Sequence, residues 1–241
     1  MGRICIKNWS ETEKCDILCV DFDMRECGNM KMNRKTLWRW MALTMIAALM
    51  MCGAACAKTD ANEEALLSGV HYVEITVENY GVITAELNAD TAPVTVTNFM
   101  KLVEDGFYDG LTFHRIISGF MIQGGDPNGN GSGGSDQKIK GEFAANGVNN
   151  PLQHTRGVLS MARSKDYDSA SSQFFIMHED APHLDGQYAA FGMVLTGMEV
   201  VDAICEDTPV LDGNGSVAKD NQPVIVSIRK IEKPEEITEA E

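Results

Sequence analysis

A chain of 241 residues, 44% apolar and 23% charged, is long enough for one domain or two small ones around a packed core. Its formal charge is −15, and from Ala57 onward 12 Lys and Arg stand against 29 Asp and Glu, a balance of −17. A surface that negative repels phosphate backbones and anionic membrane faces, which excludes nucleic acid as a partner.

Met1 to Asn29 shows no clear period and precedes a charged segment, so it is expected to be an unstructured extension outside the folded part, with Met30 or Met32 as alternative starts. Cys15 and Cys19 have a superficially metal-like spacing, but no second pair of Cys or His follows them. From Met30, the basic residues Lys31, Arg34, Lys35 and Arg39 lead into the apolar stretch Trp40 to Met51. Its 12 residues are fewer than the ~20 that a membrane span needs, so residues 30–56 read as an export leader. The closing Gly53-Ala54-Ala55-Cys56 resembles a bacterial lipoprotein processing site, although Gly53 stands where that family usually has Leu. The resemblance implies lipidation of Cys56, with an ordinary cleaved signal or an uncleaved anchor as alternatives. Residues 57–69 read as a polar tether.

The folded part is expected over residues 70–232. "HYVEITVEN" alternates Val73, Ile75 and Val77 with polar neighbours, and "GVITAEL" does the same with Ile83, Ala85 and Leu87, so the pair predicts a hairpin turning at Tyr80-Gly81. Pro93 opens a helix whose Val96, Phe99, Met100 and Val103 form one buried stripe. Short apolar runs punctuated by Gly follow: "LTFHRII", "GFMIQG", "GVLSMA", "SQFFIM" and "AAFGMVL". "GMEVVDAIC" suits a second helix and "PVIVSIRKI" a last strand, before the acidic tail 233–241. Two helices among about eight strands, without regular βαβ alternation, predict an antiparallel barrel or sandwich. Cys205 is the only thiol after residue 56, which leaves no disulfide framework or thiolate metal cluster there.

Several strings imitate known chemistry and fail on context. Gly129-x-Gly131-x-x-Gly134 satisfies a dinucleotide fingerprint, but polar, turn-prone residues follow it where a helix should begin. Asp126, Asn128, Asn130 and Gly131 start like a calcium loop, yet the twelfth position is Gln137 instead of Glu. This glycine-rich segment therefore reads as a mobile surface loop. His178 and His183 are five apart with Pro182 between them, which is wrong for two zinc ligands on one helix face. No GxSxG elbow is present, and nothing points to a Ser-His-Asp triad. Arg115 lies inside an apolar strand, bracketed by Ile116, Ile117, Phe120 and Met121. From the residues alone it is paired with a carboxylate, snorkelling, or serving a ligand.

"FHRIISGFMIQGGD", with "GVLSMARS", "SASSQFFIM" and "HLDGQYAAFG", resembles the cyclophilin family of peptidyl-prolyl isomerases, in family order and spacing over roughly residues 71 to 232. The resemblance implies a mainly β fold, a closed eight-stranded antiparallel β-barrel capped by two α-helices, acting on Xaa-Pro bonds. It implies Arg115 as the catalytic group, and a proline pocket of Phe120, Met121, Phe175 and Leu184. Gln123 and Gln173 would hold the substrate backbone, and Ala162 and Arg163 would bind the preceding residue. His114 would be a hydrogen-bonding support. His183 stands where well-known eukaryotic members carry a tryptophan important for cyclosporin binding, and Tyr188 where they carry histidine. Both are expected at the substrate site. Proline-containing polypeptides are the implied partners of a monomer that meets a membrane only through its leader or lipid anchor. No metal and no cofactor is needed. The alternative is a non-catalytic peptide-binding or chaperone module that keeps the groove.

Overall fold

The computed structural model describes residues 2–7, 17–22 and 65–235. The leader with Cys56, most of the tether and residues 236–241 lie outside the described residues. Near the N-terminus, β1 (Gly2–Lys7) and β2 (Ile17–Phe22) pair antiparallel, with Gly2 opposite Phe22 and Lys7 opposite Ile17. The sequence reading places no element there. This pair belongs to one compact unit, residues 1–63, and the rest of the chain forms another, residues 64–241.

The second unit is built on eight strands: β3 (Val70–Val77), β4 (Gly81–Asn88), β5 (Phe113–Ile117), β6 (Met121–Gly124), β7 (Val158–Met161), β8 (Phe174–Met177), β9 (Ala190–Thr196) and β10 (Ile225–Ile231). They form one antiparallel sheet in the order β10-β3-β4-β9-β7-β8-β6-β5. Two helices accompany it, α1 (Pro93–Glu104) and α2 (Met198–Asp207).

The β3–β4 hairpin follows from the alternation. Val73, Ile75 and Val77 face the core together with Ile83, Ala85 and Leu87, and Ile75 pairs directly with Ile83. Asn79, at φ 64°, takes the left-handed turn position that Asn tolerates. The stripe of α1 is buried as its spacing predicts, Phe99 lying 5.0, 5.5 and 5.2 Å from the ring centres of Tyr108, Phe174 and Phe191. Ala92 has no side chain with which to cap this helix. The buried carboxylate of Glu142 takes over, accepting the N–H groups of Val94 (3.0 Å) and Thr95 (2.8 Å). The end of the expected tether is also fastened, because Leu67 N–H donates to Thr97 Oγ1 at 2.8 Å.

The sheet is a curled half-barrel, and no ladder joins its end strands β5 and β10. The closed barrel expected from the sequence is thus not what the hydrogen bonding describes. A short seam links the segments that lead into these strands, with Phe113 N–H donating to Pro223 O at 2.9 Å and Ile225 N–H to Leu111 O at 2.7 Å. Pro223 has no N–H to extend it. The free edge of β5 pairs instead with residues 215–217, as Ile116 N–H donates to Gly215 O and Val217 N–H to His114 O.

One irregularity decides where the site lies. Phe113 pairs with Gly124, but Arg115 pairs with Gln123, so β5 carries one extra residue at His114. Strict alternation would put Arg115 on the same face as Phe113, inside the core. The bulge shifts the phase, so that Arg115 joins Gln123 and Phe175 in one cross-strand row on the opposite face. Phe113, Gly124 and Phe174 remain together on the core side.

Candidate active site

The row Arg115–Gln123–Phe175 forms the floor of a cavity of about 220 Å³. Its other walls are Phe120, Met121, Ala162, Arg163, Leu184 and Tyr188. Ligand clefts of roughly 300–1,000 Å³ suit drug-sized molecules, so this one suits a single apolar side chain. Met121, Phe175 and Leu184 are buried, and with Phe120 they supply the apolar surface. Nine of the twelve expected site residues therefore converge on one cavity.

Arg115 is half-buried and held on one side only. Nε donates to Asn214 O at 2.8 Å and Nη1 to Gln123 Oε1 at 3.2 Å, while Met121 Sδ lies 3.9 Å from Nη1. Nη2 makes no hydrogen bond among the described residues, so two donors are left over. Burial pulls Arg115 down from its ordinary value, and the Coulomb effects of Tyr188 and Asp212 work against that shift.

The other three expected residues lie elsewhere. Gln173 belongs to a neighbouring cavity of about 340 Å³, which shares Gln123, Ala162 and Arg163 with the first. It links the two through a relay, since Gln123 Nε2 donates to Gln173 Oε1 at 2.8 Å. Its own amide N–H groups donate to Gly131 O (3.1 Å) and Gly133 O (2.7 Å). His183 is exposed at the rim and stacks on Phe120, with ring centres 5.7 Å apart. His114 is a correction. As the extra residue of the bulge it is buried away from the cavity beside Gly131, neither ring nitrogen has a partner, and burial keeps its pKa below the ordinary imidazole value. Its ring makes no hydrogen bond among the described residues, while its backbone carbonyl accepts Val217 N–H.

The glycine-rich segment also needs correcting. It is a wall of the larger cavity with its own internal anchor, the carboxylate of buried Asp126. That carboxylate accepts N–H groups from Asn128 (2.8 Å), Asn130 (3.1 Å) and Gly131 (2.6 Å). Burial opposes its ionisation, yet the backbone N–H groups of the loop hold it below the usual carboxylate range. A Cβ at Gly133 would run into this carboxylate, so the glycine is required by close approach and not by phosphate.

Two supports were not read from the sequence. His154 lies behind Phe175, 6.1 Å between ring centres, with Nδ1 3.0 Å from Asp185 Oδ1 and Nε2 3.0 Å from Ser160 Oγ. This has the make-up of a Ser-His-Asp triad, but Ser160 is fully buried and no substrate can reach it. It locks the ring beneath the site. The second support holds the turn before Phe120. Gly119 N–H donates to His178 Nδ1 at 2.8 Å, so the ring proton sits on Nε2, 3.1 Å from Asp202 Oδ1. Both clusters join residues far apart in the chain, which no local pattern announces.

The profile of the family described as cyclophilin type peptidyl-prolyl cis-trans isomerase matches residues 72–233. Peptidyl-prolyl cis-trans isomerase B of Bacillus subtilis is 50% identical over 123 residues, which cover 51% of this chain and 82% of that protein. A peptidyl-prolyl cis-trans isomerase of Helicobacter pylori is 44% identical over 149 residues, covering 61% and 88%. Among solved structures, a cyclophilin type isomerase of Cryptosporidium parvum superposes with a TM-score of 0.61 at 32% identity, covering 69% of this chain and all of the other. The same protein in the presence of the dipeptide Ala-Pro gives 0.59 at 34% identity, covering 67% and 99%.

Proposed function

The chain belongs to the cyclophilin type peptidyl-prolyl cis-trans isomerase family, and on that premise we propose that it turns Xaa-Pro bonds in the Arg115 cavity, on polypeptides exported with it. Amide resonance sets a rotation barrier of about 18–20 kcal/mol, and an uncatalysed Xaa-Pro bond takes tens to hundreds of seconds to turn. At the twisted transition state the nitrogen lone pair leaves the π system and becomes able to accept a hydrogen bond. A guanidinium donor aimed at that nitrogen binds the twisted state better than either planar one. The observation that carries the reading is the bulge at His114, which brings Arg115, with Nη2 unspent, over the apolar floor made by Phe175.

A hydrogen bond from a charged donor contributes about 1.5–3 kcal/mol, or roughly ten- to a hundredfold in rate. The apolar walls do the rest by fixing the proline ring and excluding water. Rotation moves no electrons between partners, so the chemistry asks for no cofactor. Cis-to-trans relaxation of a short Xaa-Pro peptide, followed with the full chain and with Arg115→Ala, tests the reading. Equal rates for the two proteins would remove Arg115 from the mechanism.

The exported setting rests on the run from Lys31 to Cys56. Mass analysis of the mature N-terminus should find an acylated Cys56, and an unmodified Met1, Met30 or Met32 terminus would refute the lipid anchor. We further read the protein as a monomer, with the Phe113–Pro223 seam closing the half-barrel into a full one.

A further inference from the structure

Four arginines follow Ala57, and they divide into two pairs. Arg156 meets both carboxylate oxygens of Asp202 at 2.8 Å, and Arg229 meets both oxygens of Asp109. Arg115 and Arg163 face the cavities and meet no carboxylate among the described residues. Arg163 Nε and Nη2 donate to Gln187 O (3.1 and 2.8 Å) and Nη1 to Ser164 O (2.9 Å), which leaves two of its five N–H groups unspent. Three rings hold its guanidinium in place, Phe143, Tyr167 and Tyr188, at 5.1, 4.9 and 4.5 Å. Lys138 adds a third cation on the wall of the larger cavity and makes no ion pair among the described residues.

Among the described residues no Asp or Glu lines either cavity, in a chain that carries −17 from Ala57 onward. Most carboxylates that flank the lining residues are turned onto other groups: Asp126 onto three backbone N–H groups, Asp166 onto Asp168 N–H, Asp168 onto Gly141 and Asn146, Asp185 onto His154, and Asp212 onto Asn214 and Ser216, while Asp136, two residues before Lys138, is exposed and outside both linings. An acidic chain whose cleft lining holds three cations and no carboxylate, none of the three in an ion pair among the described residues, presents there a local charge opposite in sign to its net charge.

We propose that this cleft selects Xaa-Pro substrates that carry an Asp or Glu side chain close to the proline, with Arg163 and Lys138 as the residues that set the preference. The inference deepens the isomerase reading and rests on it. The two cavities share a wall, and an extended chain advances roughly 3.3–3.6 Å per residue. A proline seated beside Phe175 therefore places a residue two or three positions away in the larger cavity. There the guanidinium of Arg163, already held by its rings and carbonyls, offers its two unspent donors to a carboxylate without first losing rotamer freedom.

The test compares kcat/KM of the full chain on peptides of one frame around Ala-Pro, with Glu, Gln or Lys at each of the three positions on either side. At low salt the best Glu peptide should exceed its Gln counterpart by about 1.5- to fivefold, with the Lys counterpart lower still. That ratio should shrink toward one at about 0.5 M salt, where the screening length is only a few ångströms. In Arg163→Gln and Lys138→Gln the ratio should fall whatever the absolute rate, and Arg163→Lys should retain part of it. Equal turnover of all three peptides, a preference for Lys, or a ratio unchanged in both variants would overturn the inference and leave the isomerase reading standing. Turnover of none would overturn that reading instead. In that case calorimetric binding of the same peptides decides the charge preference, Glu above Lys supporting it and parity refuting it.

Discussion

The two faces of β5, β6 and β8 use the same backbone for opposite ends. On the inner face Phe113, Ile116, Ile122, Phe174 and Ile176 are sealed from solvent in the main core. On the outer face Arg115, Gln123 and Phe175 form the floor of a small open cavity. Phe174 and Phe175 are chain neighbours of identical chemistry, yet one packs among Phe99, Tyr108 and Phe113 while the other faces the site. What a residue contributes here depends on its phase along the strand more than on its type.

Substitutions on the two faces should therefore separate stability from activity. Phe174→Ala empties part of the core and should cost about 3–5 kcal/mol, read as a lower urea midpoint. Arg115→Ala should lower kcat/KM by about ten- to a hundredfold with a midpoint close to that of the parent protein, because the guanidinium bonds only to groups that water can also satisfy. If both variants lost stability alike, the division between the faces would be wrong.

A smaller effect tests how the outer face is held. His178→Ala leaves Gly119 N–H without its acceptor and loosens the turn that leads to Phe120. It should raise KM by about two- to fivefold, with His178→Asn, which keeps an acceptor, recovering most of the loss. An equal defect in both variants would mean that His178 acts through bulk or charge and not through that bond.

The smallest effect concerns the two buried histidines. Burial holds His114 and His154 below the ordinary imidazole value. The unfolded chain takes up protons on them below about pH 6.5, while the folded chain keeps them neutral, so the unfolded state binds more protons there. Stability should be full above that pH and fall on acidification until the folded values are reached. Urea midpoints at pH 7 and pH 5 check this, and the difference should shrink in His114→Gln and His154→Gln. A midpoint that rises on acidification would contradict the sign.

Much of this was legible in the sequence where the signal is local. The alternation of Val73, Ile75 and Val77 and the stripe of Val96, Phe99, Met100 and Val103 fix which face turns inward, and the structure buries all seven. The blocks around Arg115, Gln123, Phe175 and Leu184 resembled one family's, and these residues line one cavity. What escaped was the phase of β5. In "FHRII" two polar residues stand side by side between apolar ones, which does not say which of them leaves the core, so His114 read as a support beside the substrate, when it is the residue that pushes Arg115 out of the core. The glycine-rich loop read as mobile because the acceptor that orders it, Asp126, acts through backbone N–H groups that every residue owns.

By itself the sequence determined the order of strands and helices from Val70 onward, most of their apolar faces and the types of side chain available, since each of these follows from the period of a short stretch. Only the tertiary structure decided which of those side chains meet. The capping of α1 by Glu142, the three rings around Arg163 and the pairing of Arg115 with Gln123 each join segments whose separation along the chain carries no periodic trace. A hydrogen bond or a ring contact is set by distances of a few ångströms, and those exist only once the sheet has curled.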